Sequence, residues 1–324
     1  MWGQPIITSN NSQKPWKGEL LPVVFHRAYV TPLPENHRFP MAKFGRLYEL
    51  LEEEGLVSTA TVHVPEPVSQ EELALVHDSA YVQAFLDGSI DESSLRRIGL
   101  PWSSALAERT RHAVGGTLLT ARLALETGMA CNCAGGTHHA HPSFGSGFCI
   151  FNDLAVTARV LLEEGAVSSI LIVDLDVHQG DGTAAAFADD PRVFTFSMHC
   201  GTNFPYHKTP GDLDIDLPNH TGDEAYLARL QEVLPGLLGT VRPQLVLYDA
   251  GVDVFVRDRL GRLDLTLEGI RRRDSYVIQT CRAAGVPVAA VIGGGYDRDI
   301  DALADRHAIL HRTATEVFKV LKTL

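Results

Sequence analysis

The sequence predicts an α/β fold: one domain on a mostly parallel sheet, with helices on both faces. Three observations carry that expectation. Short apolar runs rich in β-branched residues recur along the chain, amphipathic stretches separate them, and four of the runs end on His, Asp or Tyr beside glycine. A strand covered on both faces reads as an unbroken apolar run, whereas one with a wet face alternates. Such runs alternating with helices belong to parallel sheets.

In chain order, strands are expected at Leu21–Phe25, Thr61–Val64 (the shortest), Ala130–Ala134, Ser169–Leu175, Val193–Met198, Leu245–Tyr248 and Val286–Ile292. Helices are expected at Met41–Glu54, Ala105–Thr127, Leu154–Glu164, Glu224–Leu238, Thr266–Ala284 and Asp301–Leu321. No repeat, low-complexity tract or linker interrupts this alternation. Residues 21–324 therefore read as one domain, preceded by a polar extension over 1–20. With 45% of 324 residues apolar, the chain can fill a full core.

Composition also narrows function. No apolar run approaches the ~18 residues of a membrane span, and the polar N-terminus has no signal-peptide run. A soluble, cytoplasmic protein is expected. The five cysteines (131, 133, 149, 200 and 281) are odd in number, and Cys131-Asn-Cys133 lacks the spacing of a zinc knuckle. They read as buried thiols rather than a disulfide framework. A net charge of −12 with no basic stripe argues against direct nucleic-acid binding.

In open parallel sheets, ligands sit at the carboxyl ends of the strands. One run leads into Gly135-Gly-Thr-His138-His139-Ala-His141. A second leads into Asp174-Leu-Asp176-Val-His178-Gln-Gly-Asp181-Gly. A third leads into Asp249-Ala-Gly-Val-Asp253, and a fourth into Gly293-Gly-Gly-Tyr296. Asp174, Asp176 and His178, at i, i+2 and i+4, point the same way in an extended chain. Two carboxylates beside an imidazole repel each other unless a cation joins them. A lone Asp would more simply cap a helix, which suits Asp181 between its glycines. A further ligand is expected from another strand end: Asp253, with Asp249 as the strand-edge alternative. Two Asp and one His leave a coordination position open, as catalytic sites do. Donors without thiolate suit Zn²⁺, and also Fe²⁺, Co²⁺ or Mn²⁺.

His138 and His139 are neighbours whose side chains diverge, so they are expected beside the metal as a general acid and base. Each needs its second nitrogen fixed by a carboxylate, and Asp174 and Asp181 are available. His141-Pro142 reads as loop and wall. Tyr296 follows three glycines that let the backbone turn tightly, and its hydroxyl suits an oxyanion. Gly147, Phe148 and Phe204 read as walls of an apolar channel, or as ordinary core.

Taken together, six motifs resemble the metal-dependent histone deacetylase superfamily in residue type and order. They are His138-His139, Gly147-Phe148-Cys149, Asn152-Asp153, Asp174 to Gly182, Ala250 to Asp253, and Gly293 to Tyr296. The likeness runs from about Leu21 to the last helix. Tyr248–Asp253 and Asp258–Leu263 resemble most the class IV branch and its bacterial relatives, and Phe151–Asp153 is more similar to other branches. The resemblance implies an arginase/deacetylase fold with a parallel sheet of about eight strands. It implies Zn²⁺ on Asp176, His178 and Asp253, and an acid/base pair His138 and His139 oriented by Asp174 and Asp181. Tyr296 would be the oxyanion donor. It also implies a structural K⁺ at Asp174, with backbone oxygens of Asp176, His178 and Met198 and the Ser197 hydroxyl. A second K⁺ would lie near Phe187, Asp190, Val193 and Tyr226. The family's acidic rim residue has no match, although Asp87 and Asp91 lie in the corresponding region.

The activity implied is removal of acetyl or longer acyl groups from lysine side chains of proteins. The acyl-lysine would enter between Gly147, Phe148 and Phe204. Glycines 147 and 293–295 are expected to leave volume for a long acyl chain. The alternatives are an acetylpolyamine amidohydrolase, an arginase-like ureohydrolase with two Mn²⁺ ions, and a non-catalytic acyl-lysine reader. Oligomeric state carries no signal in the sequence.

Overall fold

Among the described residues, 20–320, the computed structural model builds seven strands into one wholly parallel sheet. The extension expected over 1–20 lies outside the described residues except for Leu20. In chain order the elements are β1 (Val23–Val24), α1 (Lys43–Glu53), α2 (Gln70–Leu73), α3 (Ser79–Asp87), α4 (Glu92–Ile98), α5 (Ser104–Thr127), β2 (Met129–Asn132), α6 (Asp153–Glu163), β3 (Ile170–Asp174), α7 (Asp181–Phe187), β4 (Val193–Cys200), β5 (Leu213–Leu217), α8 (Asp223–Val241), β6 (Leu245–Asp249), α9 (Leu267–Ala283), β7 (Val288–Val291) and α10 (Ile300–Val320).

The strand order is β1-β2-β7-β6-β3-β4-β5. From β3 the chain moves outward through β4 and β5, then returns to lay β6 on β3's other side. The loops after β3 and β6 therefore diverge, leaving a crevice at their carboxyl ends. In register, Asp174 pairs with Ser197 on one side and Asp249 on the other. Helices α5, α6 and α7 pack in succession over one face; α1, α10, α9 and α8 pack over the other. Every residue of β2, β3, β6 and β7 is buried, as strands covered on both faces require. Helix ends follow local chemistry. Ser103, Asn152 and Thr266 accept the amides of Leu106, Ala155 and Gly269 at 2.9–3.0 Å, and Gly128 ends α5 with φ 88°.

Two strand expectations differ from the structure. Thr61–Val64 is not a strand: His63 makes one bridge to Val24, and Val64 is 61% exposed. Pro65 and Pro67 follow and cannot donate to a ladder, so the eighth position of the sheet is a single bridge. Conversely, β5 was hidden by its alternation, Leu-Asp-Ile-Asp-Leu, which is the pattern of a half-wet edge. Helices α2 to α4 and α7 were also not expected; they are short, and the side chains of Ser69 and Asp91 cap α2 and α4. All five cysteines are buried and unpaired, as expected.

Candidate metal centre and acid–base site

The loops leaving β3 and β6 bring Asp176, His178 and Asp253 together, all three buried, with ligand atoms within 4.8 Å of one another. His178 Nδ1 lies 2.9 Å from Asp176 Oδ1 and 3.1 Å from Asp253 Oδ2. The remaining carboxylate oxygens are aimed by backbone amides: Val177 N donates to Asp253 Oδ1 (2.9 Å) and Gly294 N to Asp176 Oδ2 (2.7 Å). Burial works against a charged His178, but its bonds to Asp176 and Asp253 outweigh burial and push it up to about 10. Burial and the charge of Asp176 together raise Asp253. Two carboxylates and one imidazole converging out of water are a donor set that fits a divalent cation.

Gly294 makes that convergence possible. A Cβ there would run into Asp253 Oδ2 and lie 2.5 Å from Asp176 Oδ2; at Gly293 it would run into Asp249. The side-chain space at Gly293 and Gly294 is thus taken up by carboxylates.

His138 and His139 follow β2, their ring centroids 4.2 Å apart and their planes tilted by 51°. Each is tied to a different carboxylate: His138 Nδ1 to Asp174 Oδ2 (2.7 Å) and His139 Nδ1 to Asp181 Oδ1 (2.6 Å). Donation from Nδ1–H to the carboxylate leaves Nε2 as the free nitrogen of each ring. Their environments push them apart. Burial, then the neighbouring His138 charge, lowers His139 to about 4. Burial also opposes charge on His138, but Asp174 and Asp176 overcome it and hold the ring well above the ordinary value. Paired groups driven in opposite directions are what acid–base chemistry uses. Asp249 ends β6 with both oxygens unpartnered, and Oδ2 is 3.9 Å from His138 Nδ1. It joins the His138–Asp174 pair, not the Asp176–His178–Asp253 group.

Tyr296 is half-buried, its ring 6.5 Å from that of His178 and 5.9 Å from that of Phe148. Burial, then the charges of Asp253 and Asp176, holds its hydroxyl well above the ordinary value, so it stays a donor. Asp258 fixes the turn by accepting Tyr296 N at 2.7 Å. A cleft of about 480 Å³ ends on His139, His178 and Tyr296, between Gly147, Phe148 and Phe204. Gly147 has φ 53°, and a Cβ there would lie 2.7 Å from the His139 ring; Phe148 takes the left-handed region too, at φ 68°.

Ser197 and Asp174 sit side by side and line a cavity of about 10 Å³. The Ser197 hydroxyl meets His199 Nδ1 at 2.9 Å. Around the second expected cation position, the Phe187 and Asp190 carbonyls accept the amides of Asp190 and Val193, and Tyr226, on α8, is buried. Asp87 and Asp91 do not reach the cleft. Asp87 bonds Gln83 and Ser89, and Asp91 caps α4.

Four supporting groups were not legible beforehand. His141, read as wall, places Nε2 2.9 Å from the second oxygen of Asp181. Asp153 accepts Gly136 N (3.1 Å) and Thr137 N (2.7 Å), fixing the turn before the histidine pair. Buried Lys43 donates to the carbonyls of Gly293 (3.2 Å) and Gly295 (3.4 Å), and burial lowers it to about 8. Buried Arg273, on α9, donates to the carbonyls of Leu175, Ala250 and Gly251 at 2.7–3.1 Å, stitching the two ligand loops together. A basic residue inside an apolar helical stripe was the available signal for Lys43; Arg273, in a run of three arginines, gave none.

Comparison with known proteins agrees with this geometry. A family model described as the histone deacetylase domain matches residues 37–311. An uncharacterized protein of Picosynechococcus is 56% identical over 92% of this chain and 99% of its own length. Histone deacetylase 2 of Arabidopsis thaliana is 30% identical over 80% of this chain and 70% of its own. The acetoin utilization protein AcuC of Staphylococcus aureus is 31% identical, over 81% and 72%. Among solved structures, an HDAC homolog complexed with SAHA shares the fold with a TM-score of 0.78 at 24% identity, covering 93% of this chain and 89% of that one. With the matched domain covering most of its length, the chain belongs to the histone deacetylase family of hydrolases.

Proposed function

We propose that this protein is a zinc-dependent amidohydrolase that removes acetyl or longer acyl groups from the side-chain nitrogen of lysine in a protein or peptide. One observation carries the reading: two separate imidazole–carboxylate pairs and a tyrosine hydroxyl converge on the Asp176–His178–Asp253 group at the floor of one cleft. A divalent cation on Asp176, His178 and Asp253 supplies Lewis acidity to the amide carbonyl and to water. The donor set suits Zn²⁺, with Fe²⁺ or Co²⁺ as chemical alternatives. The reading includes a structural K⁺ at Asp174 with the Ser197 hydroxyl and the carbonyls of Asp176, His178 and Met198.

His139 lines the cleft and is neutral at physiological pH, so its free Nε2 accepts the proton of the attacking water. Asp181 orients that ring and stabilises the imidazolium as it forms. His138 keeps a proton beside Asp174 and delivers it to the leaving amine. Tyr296 donates a hydrogen bond to the oxygen that gains charge. Phe148 and Phe204 flank the acyl-lysine stem and exclude water. The catalytic domain spans 21–324 in this reading, and five free thiols suit a reducing, cytoplasmic setting.

The test is a hydrolysis screen of lysine peptides carrying acyl groups from two to about fourteen carbons, with acetylspermidine alongside and bound metal quantified. Turnover of acetyl-lysine is expected, with longer acyl-lysine accepted as well; a sharp fall beyond acetyl would remove the long-chain part alone. Hydrolysis of acetylspermidine alone would replace the protein-deacylase reading with the polyamine one.

A further inference from the structure

The mouth of the cleft carries a charge opposite to that of the molecule. The chain has 40 acidic and 28 basic residues, yet among the described residues four arginines and no carboxylate line the cleft: Arg38, Arg97, Arg259 and Arg262. They come from three separate segments: the loop before α1, the end of α4, and the loop after β6. All four are exposed, and among the described residues none is within 4.0 Å of a carboxylate, although many other arginines of this protein are paired. Neutral contacts hold three of the heads in place. Arg38 lies over the Phe148 ring at 4.9 Å, Arg97 over the Phe144 ring at 4.7 Å, and Arg262 Nη1 bonds the Thr202 carbonyl and hydroxyl. Arg259 is anchored by its backbone, which donates to the Tyr296 carbonyl at 3.2 Å. Guanidinium groups held without a counter-ion around an opening focus a positive field there and pair bidentately with carboxylates.

We infer that the entrance selects acyl-lysine flanked by acidic residues and turns away cationic substrates, acetylpolyamines and lysine-rich peptides among them. The inference rests on the deacylase reading and names its substrate class. The stem of the acyl-lysine occupies the neutral channel between Phe148 and Phe204. Aspartate or glutamate on either side then meets the arginine collar.

The experiment uses the metal-loaded enzyme and acetyl-lysine peptides of one length whose flanks are Asp/Glu, Ser/Gly or Lys/Arg. Each exposed arginine–carboxylate pair is worth about 2- to 5-fold, so kcat/KM should favour the acidic over the basic peptide by 10-fold or more, on the order of two or more such pairs. The difference should lie mainly in KM. It should shrink on raising salt from about 50 mM to about 500 mM, as screening shortens the range of the field. The double variant Arg97→Glu/Arg262→Glu should reverse the order, whereas Arg271→Glu, a distant exposed position on α9, should leave it unchanged. Equal rates across the series, or a preference for basic flanks, overturns charge selection while leaving the deacylase reading intact. If no peptide of any charge is cleaved but acetylspermidine is, both readings fall together.

Discussion

Tyr296 keeps its proton because burial and the charges of Asp253 and Asp176 oppose a phenolate. That makes its hydroxyl a permanent donor, and Tyr296→Phe removes the donor with little change in volume. Turnover should fall by about 10²–10³ with metal content unaltered. Elemental analysis alongside steady-state kinetics separates the two, and near-full turnover would reduce Tyr296 to a wall residue. Gly294 poses the opposite test. An added methyl would run into Asp253 Oδ2 and crowd Asp176. Gly294→Ala should therefore weaken metal binding by about 10- to 100-fold, as changes to groups supporting metal ligands do. A competing chelator dye measures this, and circular dichroism checks that the fold persists.

At the scale of elements, α9 acts as a clamp on the strand ends. Arg273 reaches the carbonyls of Leu175, Ala250 and Gly251, and its Nε bonds Asp274, which also accepts the Tyr248 hydroxyl at 2.6 Å. Neither member of this ion pair is exposed. Arg273→Leu strands a buried carboxylate and frees three carbonyls, which should cost about 3–5 kcal/mol of stability. Because the freed carbonyls belong to the loops bearing Asp176 and Asp253, metal affinity should fall as well. Thermal melts and chelator competition report the two effects. A stability loss with unchanged affinity would show that Arg273 supports the core only.

For the whole molecule, His77 couples acid stability to the site's architecture. It is buried, its Nδ1 donates to the His141 carbonyl (3.0 Å), and its Nε2 accepts Asn152 N (2.9 Å). A second proton would set two N–H groups against each other. Burial accordingly lowers the ring to about 4, against the pull of its carbonyl partners. The unfolded chain takes that proton near pH 6.5 and the folded one only near 4, so stability is whole above 6.5 and declines as pH falls through that window. The loss from this group is on the order of 3 kcal/mol. Denaturant titrations from pH 7 to 4.5 should show a steeper decline in the wild type than in His77→Gln; parallel slopes would discharge His77 from that role. The fold class, the order of the buried strands and the strand-end residues were legible from sequence, because burial on both faces writes itself as apolar runs and a metal site needs fixed residue types at short spacing. Asp174, Asp176 and His178, and the pair His138 and His139, are such local patterns. The tertiary structure decided what depends on residues far apart in the chain. It set Gly293 and Gly294 against the carboxylates of Asp249, Asp253 and Asp176, assigned Asp249 to His138, brought His141 to Asp181, and gathered four arginines around one opening. Those outcomes follow from the crossing of loops at the carboxyl edge of the sheet, and local sequence spacing does not encode distances across it.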